Sequence, residues 1–253
     1  MSDHVVVSIA GGVLEVRFNR PEKKNALTRE MYEAVSVAFE QADADPAIRV
    51  VLLTGSGDTF TSGNDVKDFQ GSGSRPRGGS RFLPALSSLQ KPLIAAVNGA
   101  AIGVGTTMLL HCDLIVAARS ARFVMPFTSL GLVPEAASSL LVPRLLGHQR
   151  ASAMLLLGEP LDAATALDWG LVNRVVPEAE LDTAVAALAG QIASKSPLTL
   201  AIGKAAFYRQ AEMTLAEAYD YASAVMVRNM LARDAAEGID AFLARRPAIW
   251  TGT

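Results

Sequence analysis

Apolar positions in the first part of the chain follow two different periods, and the switch between them lays out the elements. Val5 to Ile9 is a run rich in strand-forming residues, and after Gly11-Gly12 the apolar Leu14, Val16 and Phe18 alternate with Glu15 and Arg17. That alternation predicts two strands joined as a hairpin by the glycine pair. Beyond Thr28, Met31, Val35, Ala38, Phe39 and Ala42 recur at helical spacing. They predict a helix with one apolar stripe, capped by Thr28 and ending near Asp45-Pro46. Unbroken apolar runs at 50–53, 93–97 and 114–117 read as buried strands, with a helix over 104–112 before the last of them.

Strand, helix and strand recur in that order, which predicts an α/β domain with ligand crevices where strand ends meet helix starts. From Ala136 onward the period is helical. Asp162 is placed to cap a short helix closed by Gly170, Pro177 precedes another beginning near Glu178, and three helical segments (198–210, 215–231 and 235–244) follow Ser196-Pro197. The expected organisation is a core over residues 1–196 and a helical C-terminal subdomain over 197–253; no internal repeat is visible. Residues 71–80 are glycine, serine, arginine and proline only. They are expected to form a mobile surface loop, either one that folds over a ligand or a tolerated insertion.

Composition narrows the classes. A chain of 253 residues with 50% hydrophobic and 19% charged positions is expected to be soluble and globular, and a net charge of -2 provides no field to draw nucleic acid or an anionic membrane. No apolar stretch has transmembrane length and the first residues lack a signal-type pattern, so a cytoplasmic protein is expected. Cys112 is the single cysteine and reads as a buried, inert thiol. His4, His111 and His148 are too scattered for a metal cluster, so no metal is expected. Gly103-Val-Gly105 begins as a dinucleotide loop would, but Met108 stands at the third glycine position.

Two turns carry more specific chemistry. Ser62-Gly-Asn-Asp65 and the segment from Asn98 to Gly105 each place glycine where the backbone turns sharply, and each ends where a helix is expected. Unpaired N–H groups there would make an oxyanion hole. Together with Asn25-Ala-Leu, Phe60 to Asp65, Lys91 to Gly99, Ala101-Ile-Gly, Cys112-Asp113 and Gly170-Leu-Val, these motifs resemble the crotonase (enoyl-CoA hydratase/isomerase) superfamily, from about Val5 to beyond Pro177.

The resemblance implies a spiral of β-β-α units, a helical trimerisation region, and a coenzyme A thioester as substrate with no further cofactor. A homotrimer or dimer of trimers follows from it, and neither nucleic acid nor membrane is expected as a partner. It places the oxyanion donors on the backbone N–H groups of Asn64 and Val104, and the acyl pocket at Phe127, Thr107 and Met108. Coenzyme A contacts fall at Lys23, Lys24 and Ser62, with Arg20 beside them; a solvated loop is the other reading of those cations.

Hydratases of the superfamily activate water with two glutamates, and the corresponding positions here hold Thr107 and Phe127. A carboxylate returns at Glu135. The pattern from Pro126 to Glu135 is similar to that of the monofunctional 3-enoyl-CoA to 2-enoyl-CoA isomerases, whose reaction needs one base. Those isomerases often have glycine after the glutamate, where this chain has Ala136. The other reading of Glu135 is a carboxylate at the N-terminus of a helix beginning at Ala136. For the whole chain the alternatives are another reaction of the superfamily, such as hydration, or a catalytically silent acyl-CoA-binding module. Asp65, Asp68 and Asp113 read as turn, surface and structural residues.

Overall fold

The alternation in the first strands becomes a hairpin, in which β1 (Val5–Ala10) and β2 (Val13–Phe18) pair antiparallel with Val7 opposite Val16. The structure, a computed structural model, describes residues 3–65 and 81–253, so the expected loop over 71–80 and Asp68 lie outside the described residues. α1 (Arg29–Ala44) follows, its first turn capped by the Thr28 side chain, which accepts from Met31 N, and its Met31, Val35 and Phe39 face buried.

Next come β3 (Val50–Gly55), β4 (Thr59–Thr61), α2 (Phe82–Ser88), β5 (Leu93–Val97), β6 (Ala100–Ile102), α3 (Val104–Thr107), β7 (Leu114–Ala118) and β8 (Arg122–Val124). After them are α4 (Ser138–Leu146), α5 (His148–Ser152), β9 (Leu161–Asp162), α6 (Ala163–Asp168), β10 (Arg174–Val176) and α7 (Leu181–Ala193). The chain closes on α8 (Pro197–Gln210), α9 (Leu215–Met230) and α10 (Arg233–Leu243).

Among the described residues the strands form one sheet in the order β1-β2-β3-β5-β7-β10 and a second in the order β4-β6-β8-β9. β3, β5 and β7 each enter the first sheet, and the next strand of each, β4, β6 and β8, enters the second. The resulting β-β-α repeat is structural. Its second strands are three residues long, too short for a period to show in sequence.

The apolar runs are unbroken because both faces of the first sheet are covered. Val51, Leu53, Leu93, Ala95 and Val97 point into the cluster shared with α1 and α2. Their neighbours Val50, Ile94, Ala96 and Val116 pack against Leu181, Val185 and Ala189 of α7. Each large side chain so buried contributes roughly 1.5–3 kcal/mol.

Three expectations change. The helix expected over 104–112 is α3 followed by a tighter 3-10 turn, Met108–His111, because Asp113 N is drawn to Leu93 O at 2.9 Å to start β7. β10 escapes a helical reading of everything after Ala136 and pairs parallel with β7. The helix expected to begin at Ala136 begins at Ser138. Among the described residues no single helix is long and apolar enough to cross a membrane.

Asp113 ties the C-terminal helices to the sheet: it accepts from Leu93 N at 2.7 Å, Lys204 Nζ at 2.6 Å and Tyr208 OH at 3.1 Å. Ser196 caps α8 and its hydroxyl also donates to the buried Asp234 of α10 at 2.6 Å.

Candidate active site

Asn25 builds the first of the two glycine turns. Wholly buried, it accepts from Arg20 N at 2.8 Å and donates to Ser56 O and Thr59 O at 2.9 and 2.7 Å, so all its amide groups are spent on backbone. Its own carbonyl accepts from Thr61 Oγ1 at 2.7 Å, and that oxygen accepts from Gly63 N at 3.1 Å. Leu27 then brackets the turn, donating to Gly63 O at 2.8 Å and accepting from Asp65 N at 2.9 Å. A parallel bridge of this kind uses the groups on either side of Asn64 and leaves its own N–H turned outward. The Asn64 side chain accepts from the Tyr32 hydroxyl, and Arg20 Nη1 holds Asp65 at 2.7 Å.

The second glycine turn lies directly against the first. Gly103 has φ 58° and ψ -119°, a conformation open to glycine alone, and so delivers Val104 as the first residue of α3. Among the described residues, neither Asn64 N–H nor Val104 N–H donates to a backbone carbonyl. Contact between the turns is close enough to exclude a side chain: a methyl group on Gly63 would sit 2.7 Å from Ile102 O, and one on Gly105 would sit 2.6 Å from Thr61 Cγ2.

Glu135 meets α3 at Thr107. Thr107 Oγ1, fully buried, donates to Glu135 Oε1 at 2.7 Å and lies 3.3 Å from Val104 O. One helical turn further on, His111 Nε2 is 3.0 Å from Ala136 O. Ala136 and Ala137 have φ 53° and 57°, left-handed values that cost roughly 1–2 kcal/mol apiece without glycine. Ser138 offsets part of that cost by donating to Glu135 O through its N–H at 3.0 Å and its hydroxyl at 2.6 Å. Glu135 therefore stands two residues ahead of the helix cap Ala137. Burial pushes its carboxyl above the usual carboxylate range, while the Thr107 hydrogen bond and the nearby His111 pull the other way.

Of the remaining expected residues, Met108, Phe127 and Val104 share one apolar cluster. Thr107 belongs with Glu135 rather than only with an acyl pocket. Ser62 N donates to Lys24 O at 2.9 Å, which joins those two, and the Lys24 ammonium sits 2.9 Å from the exposed Asp58 carboxylate. Lys23 is exposed at the end of the 3-10 turn Pro21–Lys23. Arg20 is committed to Asp65. Tyr32, Asn25 and His111 had no role assigned from sequence. The four-residue spacing of Thr107 and His111, which puts both on one helical face, was the available signal for His111.

The family profile described as Enoyl-CoA hydratase/isomerase matches residues 8–253. The 1,2-epoxyphenylacetyl-CoA isomerase of Escherichia coli K12 is 35% identical over 261 residues, covering 100% of both chains. Carnitinyl-CoA dehydratase of Salmonella paratyphi A is 36% identical over 262 residues with the same coverage. A crystal structure of an enoyl-CoA hydratase from Bacillus anthracis superposes with a TM-score of 0.94 at 29% identity, covering 99% of this chain and 100% of that one. The chain belongs to the enoyl-CoA hydratase/isomerase family, and it is an enzyme of that family acting on coenzyme A thioesters.

Proposed function

We propose that the enzyme is an enoyl-CoA isomerase that moves a β,γ double bond of an acyl-CoA thioester to the α,β position. In this reading the thioester oxygen sits between the N–H groups of Asn64 and Val104. Glu135 takes a proton from Cα, the electrons of that C–H bond pass into a dienolate whose oxygen the two N–H groups stabilise, and the Glu135 carboxylic acid returns the proton at Cγ. Phe127 and Met108 keep the acyl chain dry, which strengthens the electrostatics around the dienolate. Lys23, Lys24 and Ser62 serve the coenzyme A moiety; the exposed Lys24–Asp58 pair holds Lys24 weakly enough to exchange for a phosphate. No metal or redox cofactor is called for.

The carrying observation is the desolvated carboxylate of Glu135, with Thr107 and Phe127 standing where a water-activating pair of glutamates would be. A chain-length series of 3-enoyl-CoA substrates, followed by absorbance of the conjugated product, should show turnover well above hydration of the matching 2-enoyl-CoA. Hydration is the competing outcome, since one relative is named a dehydratase. Efficient formation of 3-hydroxyacyl-CoA without double-bond migration would replace the isomerase reading.

The same reading extends to assembly. α8 and α9 bury none of their residues, and Phe207, Tyr219, Met226, Val227, Leu231 and Phe242 are all exposed. A face of that size on an isolated chain implies a covering surface, and a homotrimer or dimer of trimers is the expected state. Light scattering at micromolar concentration should give three or six chains per particle; a stable monomer would contradict this.

A further inference from the structure

Thr107 stands at a position expected only to line the acyl pocket, yet its hydroxyl is turned onto the base. The oxygen is fully buried, and its two acceptors are Glu135 Oε1 at 2.7 Å and Val104 O at 3.3 Å. A hydroxyl has one hydrogen, and the nearer, charged oxygen is the stronger acceptor. We infer that Thr107 is a positioning residue for Glu135: it engages Oε1 and leaves Oε2 as the oxygen that takes and returns the substrate proton.

The terminal torsion of a glutamate is broad and roughly two-fold, so without a partner the two oxygens trade places freely. Threonine is stiff at χ1, and α3 fixes its backbone, so the hydroxyl is a rigid stop. A proton arriving at Oε1 would turn the acceptor of the Thr107 hydrogen bond into a neutral hydroxyl oxygen, a weaker acceptor, and so lose part of that bond. A proton arriving at Oε2 displaces nothing, because Oε1 then still accepts from Thr107. The same hydrogen bond is stronger to the carboxylate than to the acid and so opposes the effect of burial on the Glu135 carboxyl. His111, on the same helical segment, is the titratable group that also acts on Glu135 among the described residues.

This inference rests on Glu135 being the base, and the test separates the two. Thr107→Val keeps shape and removes the hydroxyl; Thr107→Ser keeps the hydroxyl. Turnover of 3-enoyl-CoA would be measured against pH for both variants, for Glu135→Gln and for the unaltered enzyme. The Glu135 carboxyl would be titrated in parallel by carbon-13 NMR, its signal assigned by its loss in Glu135→Gln. Thr107→Val should lose about ten- to hundredfold in rate, and both the acid limb of the rate profile and the NMR midpoint should move to higher pH. Thr107→Ser should restore both midpoints, which a purely structural role would not require. An unmoved midpoint in folded Thr107→Val, or a serine variant that fails to restore it, overturns the inference. If Glu135→Gln retains turnover, the base assignment falls, and the NMR midpoint alone still decides whether Thr107 holds the carboxylate.

Discussion

Replacing Glu135 with glutamine should lower isomerase turnover by about a hundredfold to ten-thousandfold with little change in ligand affinity. In the proposed mechanism the oxyanion donors are backbone groups on other turns, so the thioester keeps its place. Glutamine also retains an oxygen that can accept from Thr107, which leaves the surroundings intact. The variant should in addition be at least as stable as the parent at neutral pH. Because burial raises the Glu135 carboxyl in the folded state, the folded chain binds that proton more tightly than the unfolded chain does. The stability Glu135 contributes is thus fully present below the unfolded carboxylate range and is lost as pH rises through the folded value. Glutamine has no such loss, so the melting temperature of the variant relative to the parent should climb as pH rises from the unfolded glutamate value of about 4.3 through the raised folded value. Near-parental turnover in Glu135→Gln would reduce the residue to a support for the turn ahead of α4.

Substituting alanine at Gly63 is expected to have the second largest effect, through geometry alone. Its φ of 90° lies outside what an alanine adopts, and the new methyl would meet Ile102 O at 2.7 Å. Hydrogen bonds on both sides oppose relief: Gly63 N donates to the Thr61 side chain at 3.1 Å and Gly63 O accepts from Leu27 N at 2.8 Å. The turn must shift, and Asn64 N–H moves away from Val104 N–H. Loss of one aimed donor lowers the rate by about a hundredfold to a thousandfold. Overpacking costs about 1–3 kcal/mol, and each 1 kcal/mol lowers the melting temperature of a chain this size by about 2–4 °C. A folded Gly63→Ala enzyme with unchanged rate would show that Asn64 N–H is no part of the oxyanion hole.

Legibility differed between the two halves of the site. The two turns were readable as turns because glycines at 63 and 103 mark conformations no other residue takes without strain. Glu135 was readable as a carboxylate returning after Thr107 and Phe127, but its environment was not. A left-handed pair at Ala136 and Ala137 has no sequence marker, since both are alanine, and it is held by Ser138 and by His111 across the fold. Arg20 shows the reverse case: a cation expected near phosphates is drawn instead to Asp65, which lies 45 positions away along the chain.

What the sequence determined by itself was the set of long elements and the chemistry on offer. Strong periods place β1, β2, α1, β3, β5 and β7, and the glycines and the returning carboxylate name the groups proposed to react. Short strands such as β4, β6, β8 and β10 were decided only by the tertiary structure, since three residues carry no period of their own and become strands when a neighbour supplies the hydrogen bonds. The tertiary structure also decided what Glu135 is as a group. Burial raises its carboxyl and Thr107 opposes that rise, and both depend on two segments 28 residues apart being pressed together by the packing of the whole core.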